Sequence, residues 1–286
     1  MNVLVTGGAG FIGAHLIRFL LERTECERIT AFDNLFRGSW DALELQGRDA
    51  RLEMVAGDIR DPRQVGRAAK GVDTVFHLAA QSRVMGAERD VEYAFQANVA
   101  GAFNVLRAVA DAGAGKVVFS SSREVYGEPT AIPVPETAPF APKNAYGASK
   151  MAAEAWCGSF AAQGLDVSIL RLSNIYGPGD SGRVIPIFLD NVRKGLPLAI
   201  YGGEQTIDFL PVATVCRAMW SAALTNAPEP INVGSGTGTT LQELAKRIHS
   251  LFDMGGEGVE NMPGRPVETK RFVADVSRMR DVLGVM

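Results

Sequence analysis

The chain has 286 residues, of which 47% are hydrophobic and 21% charged, the balance of a water-soluble globular protein with enough apolar material for a large core. Its 29 Lys and Arg against 32 Asp and Glu give a net charge of −3 with no block of like charge, which excludes a basic field for nucleic acid and points to a small-molecule partner. Three cysteines and three histidines lie scattered without paired spacing, and no apolar run approaches a signal peptide or a membrane span, so neither a disulfide framework nor a metal cage is expected and the location expected is the cytoplasm.

Asn2 to Thr6 reads as a first strand, and it passes at once into Gly7-Gly8-Ala9-Gly10-Phe11-Ile12-Gly13 and a helix predicted from Phe11 to Glu22. Further strands are predicted at Arg28 to Phe32, Leu52 to Ala56, Thr74 to Leu78, Lys116 to Ser120, Val167 to Arg171 and Ile231 to Val233. Helical periods fall between them at Arg63 to Ala69, Val91 to Ala112 and Ala145 to Gln163. Short β-branched runs alternating with longer helical ones predict an α/β fold, a doubly wound parallel sheet of the Rossmann type. Near Tyr176-Gly-Pro-Gly the composition changes, and a helix at Ile185 to Lys194 follows. The expected division is a cofactor domain over 1–175 to which 206–235 returns, and a smaller discontinuous substrate lobe from 176–205 and 236–286.

Strand, glycine turn and helix in that order make a phosphate cradle, in which Gly7, Gly10 and Gly13 permit close backbone approach and the helix start offers free N–H groups. Asp33, at the end of the second strand, would accept both ribose hydroxyls and repel a 2′-phosphate, which argues for NAD over NADP. Phe11, Ile12 and Asn34 flank these positions. Asp58 and Ile59 would lie by the adenine, although Asp58 reads equally well as a turn acid. Leu78, Ala79 and Ala80 offer small side chains where a cofactor must pass close to backbone.

Tyr146 and Lys150 stand four residues apart, on one face of a helix, downstream of Ser120-Ser121-Ser122. An ammonium beside a phenol favours the phenolate, so Tyr146 is the candidate general base, with Lys150 lowering its pKa and Ser122 bonding the reacting oxygen. The same spacing also suits an ordinary helix pair, and only the glycine turn and the serines raise it above chance.

These residues lie in TGGAGFIG, FDN, GDIRD, HLAAQ, NVAGAFNVL, SSSREVYGE, YGASK, LRLSNIYGPG and NVGSG, and through them the chain resembles the extended short-chain dehydrogenases/reductases, in the NAD-dependent sugar epimerase/dehydratase family. The resemblance implies bound NAD, with Asn98 and Ser120 at the cofactor. It also implies a nucleoside-diphosphate sugar, a UDP-sugar first of all. Gln81, Arg83, Ser122, Arg123 and Arg183 would then border the substrate, Asn174 and Arg265 would reach its diphosphate, and the Val184 to Phe188 segment, with Val184 and Ile187, would cover the base. Relatives often form homodimers through the two long helices, and the same is expected here.

Three departures from the family pattern stand out. Ile207 occupies a position where relatives usually carry arginine. Glu124 lies where dehydratases and decarboxylases carry a catalytic glutamate, yet the residue before it is Arg123 rather than the acid that would protonate a leaving hydroxyl. Glu124 is thus either a base or an ion-paired strand-end acid. The chain also stops at Met286, where relatives continue. The function expected from the resemblance is a UDP-hexose 4-epimerase working through a 4-keto intermediate. A dehydratase or decarboxylase with Glu124 as base is the alternative, and a non-catalytic NAD sensor a distant third.

Overall fold

The computed structural model describes residues 1–44, 48–113, 115–252 and 258–286. The strands in chain order are β1 (Asn2–Thr6), β2 (Arg28–Asp33), β3 (Leu52–Ala56), β4 (Thr74–His77), β5 (Lys116–Ser122) and β6 (Asp166–Leu172). After them come β7 (Asn174–Tyr176), β8 (Leu198–Tyr201), β9 (Thr206–Pro211), β10 (Ile231–Val233), β11 (Gly238–Thr240) and β12 (Val259–Met262). The helices are α1 (Phe11–Leu21), α2 (Pro62–Ala68), α3 (Val84–Arg89), α4 (Val91–Phe95) and α5 (Gly101–Asp111). They continue as α6 (Ala145–Ala161), α7 (Val184–Arg193), α8 (Val212–Leu224), α9 (Leu241–Leu251) and α10 (Ser277–Leu283).

A seven-stranded sheet runs in the order β10-β6-β5-β4-β1-β2-β3, with every neighbouring pair parallel. Parallel strands need crossover helices, and these cover both faces, so central strands are apolar on both sides. Val3, Leu4 and Val5 in β1 are accordingly all buried. On one face α1, α8 and α10 pack through Leu16, Ile17, Val215, Met219, Met279 and Leu283. On the other, α2, α5 and α6 pack through Val65, Val105, Leu106, Val109, Ala153 and Cys157. Each such aliphatic side chain, fully buried, stabilises the fold by about 1.5–3 kcal/mol.

The smaller lobe has its own core, where Phe188 and Val192 of α7 meet Leu198 and Ile200 of β8 and Leu244 and Ile248 of α9. Strand β9 belongs to both parts. It pairs with β7 and β11, and its alternating side chains send Ile207 and Phe209 to the small core and Leu210 to the large one. Asp208, buried between them, accepts from the amides of Ser235 (2.7 Å), Gly236 (3.2 Å) and Ala274 (3.0 Å) and from the Ser235 hydroxyl (2.7 Å). The last residues differ from the expected division, because α10 and Val285 pack in the large core rather than in the small lobe.

Predicted and observed boundaries of the large-sheet strands agree within two residues, whereas the helix predicted over Val91 to Ala112 is interrupted. A π-turn at Gln96–Ala100 separates α4 from α5. Its Asn98 side chain bonds the backbone of Gln81 on both sides, at 2.7 and 3.1 Å, and the Ser149 hydroxyl at 2.8 Å.

Candidate active site

The cleft at the carboxyl ends of the strands has a volume of about 1030 Å³. That is at the top of the range for one small ligand, which leaves room for two. Its floor begins at Gly7, with φ +74°. A β carbon on Gly13 would lie 2.1 Å from the Gly7 carbonyl oxygen, so α1 can dock on its own entry turn only without one. Gly10 caps α1 with no side-chain acceptor and no acid follows in the first turn, so the amides there remain available to an anion.

Asp33 is buried at the end of β2 and accepts from the Ala9 amide at 3.1 Å and the Leu35 amide at 2.8 Å. Burial raises its pKa, with those two amides opposing. Asn34 donates to Asp58 at 3.0 Å. Burial works against the Asp58 charge, but the bonds from Arg60 and Asn34 outweigh it and hold the carboxyl at about 2. Asp58 therefore serves as a turn acid and also lines the cleft. A turn without β carbons, free helix-start amides and a fixed acceptor one strand away together fit a dinucleotide.

Opposite the turn, α6 starts at Asn144, whose Oδ1 accepts from the Gly147 amide at 2.8 Å. Tyr146 and Lys150 follow on the cleft side. Lys150 is buried, donates to the Ser120 carbonyl at 2.8 Å, and is lowered by burial to about 8. Burial pushes Tyr146 up to about 12, with the Ser122 hydroxyl opposing, and the charges that act on it are Glu124, Arg183 and Arg123. The ammonium of Lys150 is turned to the Ser120 carbonyl. Beneath both, His77 is buried against Thr6 Oγ1 (2.7 Å), and burial followed by the charge of Lys150 holds it near 3, neutral at ordinary pH.

A 3-10 turn, Arg123–Tyr126, leaves β5 and carries Glu124. Both carboxylate oxygens are engaged: Oε1 lies 2.8 Å from the Arg123 guanidinium, and Oε2 accepts from Asn144 Nδ2 at 2.8 Å. Arg123 Nε in turn donates to Asn174 Oδ1 at 2.7 Å. The ion-paired reading of Glu124 is thus realised, in a residue that also lines the cleft. Behind it Glu154 and Arg171 form a second buried pair at 2.7 Å, which carries Tyr126 through a 2.8 Å bond to its hydroxyl.

Val184 and Ile187 line the far end with Ile207, which packs against the small core where a cation was expected. Arg265 lies 4.0 Å over the Tyr201 ring and pairs with Glu268 at 2.9 Å. Arg183 pairs with Asp180 at 2.5 Å and lies 5.6 Å over Phe11, beside the glycine turn. Arg83 donates through its two terminal nitrogens to the carbonyls of Gly182 and Ser181, while its buried Nε has no partner among the described residues.

The expected glycine, serine, tyrosine and lysine positions, with Phe11, Ile12, Asp33, Asn34, Ile59 and Leu78 to Ala80, all line this one cleft. Gln81 and Asn98 do not. Both are buried behind its wall, Gln81 beside Gly86 at the start of α3, and Asn98 engaged on Gln81 and Ser149, so they position their neighbours. Arg37, Asp180 and Asn144 escaped the reading of the sequence because each is a common polar residue in a loop, with no spacing to mark it.

A parallel sheet in this order, with a glycine turn facing a serine, a tyrosine and a lysine across the strand ends, defines an extended short-chain dehydrogenase/reductase. Within that class, residues 3–234 match the NAD dependent epimerase/dehydratase family, and the chain belongs to it. It is therefore an enzyme, and NAD is its cofactor. It is 35% identical to a putative UDP-glucose 4-epimerase of Methanocaldococcus jannaschii, over 96% of this chain and 90% of the relative. It is 32% identical to UDP-glucuronic acid decarboxylase 6 of Arabidopsis thaliana, over 99% and 83%. The solved dTDP-glucose 4,6-dehydratase of Streptomyces venezuelae with NAD bound is 32% identical, with a TM-score of 0.95 over 100% of this chain and 92% of its own.

Proposed function

We propose that the protein is a nucleotide-sugar 4-epimerase acting on a UDP-hexose through a transient 4-keto sugar. Tyr146 takes the proton of the sugar's 4-hydroxyl and later returns it, Ser122 bonds that oxygen, and Lys150 fixes the end of β5 and the cofactor's ribose. Bound NAD supplies the hydride acceptor, and in its oxidised form a positive charge that favours the phenolate. Arg265 and Asn174 serve the diphosphate, and Val184 and Ile187 the base.

The observation that favours epimerisation over elimination is the clamp on Glu124. Both carboxylate oxygens are already engaged, one by Arg123 and one by Asn144, so neither is turned free to the sugar, and the neighbouring Arg123 cannot release a proton to a leaving hydroxyl. A second reading, dehydration or decarboxylation, rests on the place of Glu124 in the cleft wall and on relatives that carry those names. Incubation with UDP-glucose, UDP-N-acetylglucosamine and UDP-glucuronate separates the two. Unchanged mass with an inverted centre by NMR supports the epimerase, whereas loss of water or carbon dioxide overturns it. Glu124→Gln keeps an acceptor for Arg123 but loses the one for Asn144, so epimerase turnover should fall by no more than about tenfold, whereas elimination would stop. We also propose a cytoplasmic homodimer. The half-exposed Trp156 of α6 packs on Phe103 of α5 (4.8 Å), and Phe95 of α4 is exposed on the neighbouring helix, an apolar face suited to a second copy.

A further inference from the structure

We propose that Arg37 is a ligand of the cofactor's diphosphate, closing from the open side the site that the glycine turn forms from below. The chain leaves β2 at Asp33 and turns through Leu35 at φ +58°. Gly38 is then pressed on the glycine turn, where a β carbon would lie 2.6 Å from the Ala9 carbonyl oxygen. On the other flank the backbone at Leu78 and Ala79 abuts Gly7, since a β carbon there would lie 2.7 Å from the Ala79 amide. Arg37 joins the two sides, for its Nη1 donates to Ser82 Oγ at 3.1 Å. The guanidinium thus spans the mouth of the turn.

Its direction decides which anion it meets. A cation just after the acid of β2 is placed to read a 2′-phosphate if it turns back to the ribose. Here the head is drawn to Ser82, away from Asp33.

The charge around it calls for an anion. Arg37, Arg83 and Arg183 lie within electrostatic reach of one another, with Asp180 the acid among them. Arg83 is engaged on backbone carbonyls and Arg183 on Asp180. Among the described residues Arg37 has no carboxylate within ion-pair distance, and a diphosphate suits the guanidinium fork.

The test compares wild type, Arg37→Gln and Arg37→Lys as full chains freed of nucleotide, by calorimetric titration with NADH, NADPH, ADP-ribose and UDP and by unfolding midpoint. The expected result is that Arg37→Gln loses affinity for NADH and ADP-ribose alike, by roughly tenfold, with the NADH to NADPH ratio unchanged and a shallower salt dependence. Affinity within twofold of wild type overturns the proposal. A changed NADH to NADPH ratio overturns it as well, placing the arginine at the ribose, and so does a loss confined to UDP. Should the Gln variant unfold early, Arg37→Lys decides: retention of most of the NADH affinity supports the charge role, and a loss equal to that of Gln refutes it.

Discussion

In the proposed reaction Tyr146 concentrates the chemistry in one oxygen. Its replacement by Phe should lower turnover by about 10²–10⁴-fold while NAD remains bound, checked by NMR product assay and by nucleotide released on heating. Loss of the nucleotide would move the residue from chemistry to structure. His77 makes a pH prediction. Its folded value near 3 lies below its ordinary 6.5, so the stability tied to its neutral form is complete above pH 6.5 and lost as pH falls toward 3. Urea unfolding should show wild type losing about 2 kcal/mol more than His77→Asn between pH 7 and 5, and parallel losses would contradict the buried neutral imidazole. Such residues were unequally legible. The glycines, Asp33, Tyr146 and Lys150 were visible because their spacing is dictated by the turn and the helix. The fate of the phenol was not, because its pKa depends on burial and on Arg123, Glu124 and Arg183, which reach it from other segments.

The β1 to α1 turn depends on two missing β carbons, and Gly13→Ala restores one at 2.1 Å from backbone. The variant should be about 1–3 kcal/mol less stable and bind NADH at least tenfold more weakly, measured by thermal unfolding and titration. Normal binding would mean that α1 can shift without cost. Large-sheet strands were readable because both faces are apolar, as in Val3 to Val5. The π-turn in the predicted Val91 to Ala112 helix was not, since a one-residue slip leaves the apolar period intact and its cause, the bonds of Asn98 to Gln81 and Ser149, comes from distant segments. Strands β7, β8, β9, β11 and β12 were missed, four because three or four residues carry no measurable alternation and β9 because its two sets of side chains enter two different cores, which hides the pattern.

If the proposed dimer forms, Trp156→Glu should shift the light-scattering mass from dimer to monomer and remove the concentration dependence of the unfolding midpoint, whereas an unchanged dimer would place the interface elsewhere. The path of the last segment was not legible, because α10 answers to apolar surface on α8 that a linear reading cannot see. The carboxylate of Asp208 gives that path a further meaning. It gathers amides from the residues after β10 and from residue 274, far along the chain, so the tail supplies one of the four bonds that hold it. The smaller core is consequently tied to the larger one through β9 and through this carboxylate. Replacement of the exposed Ile187 by Ala should accordingly lower the unfolding midpoint far less than replacement of the buried Asp208 by Ala.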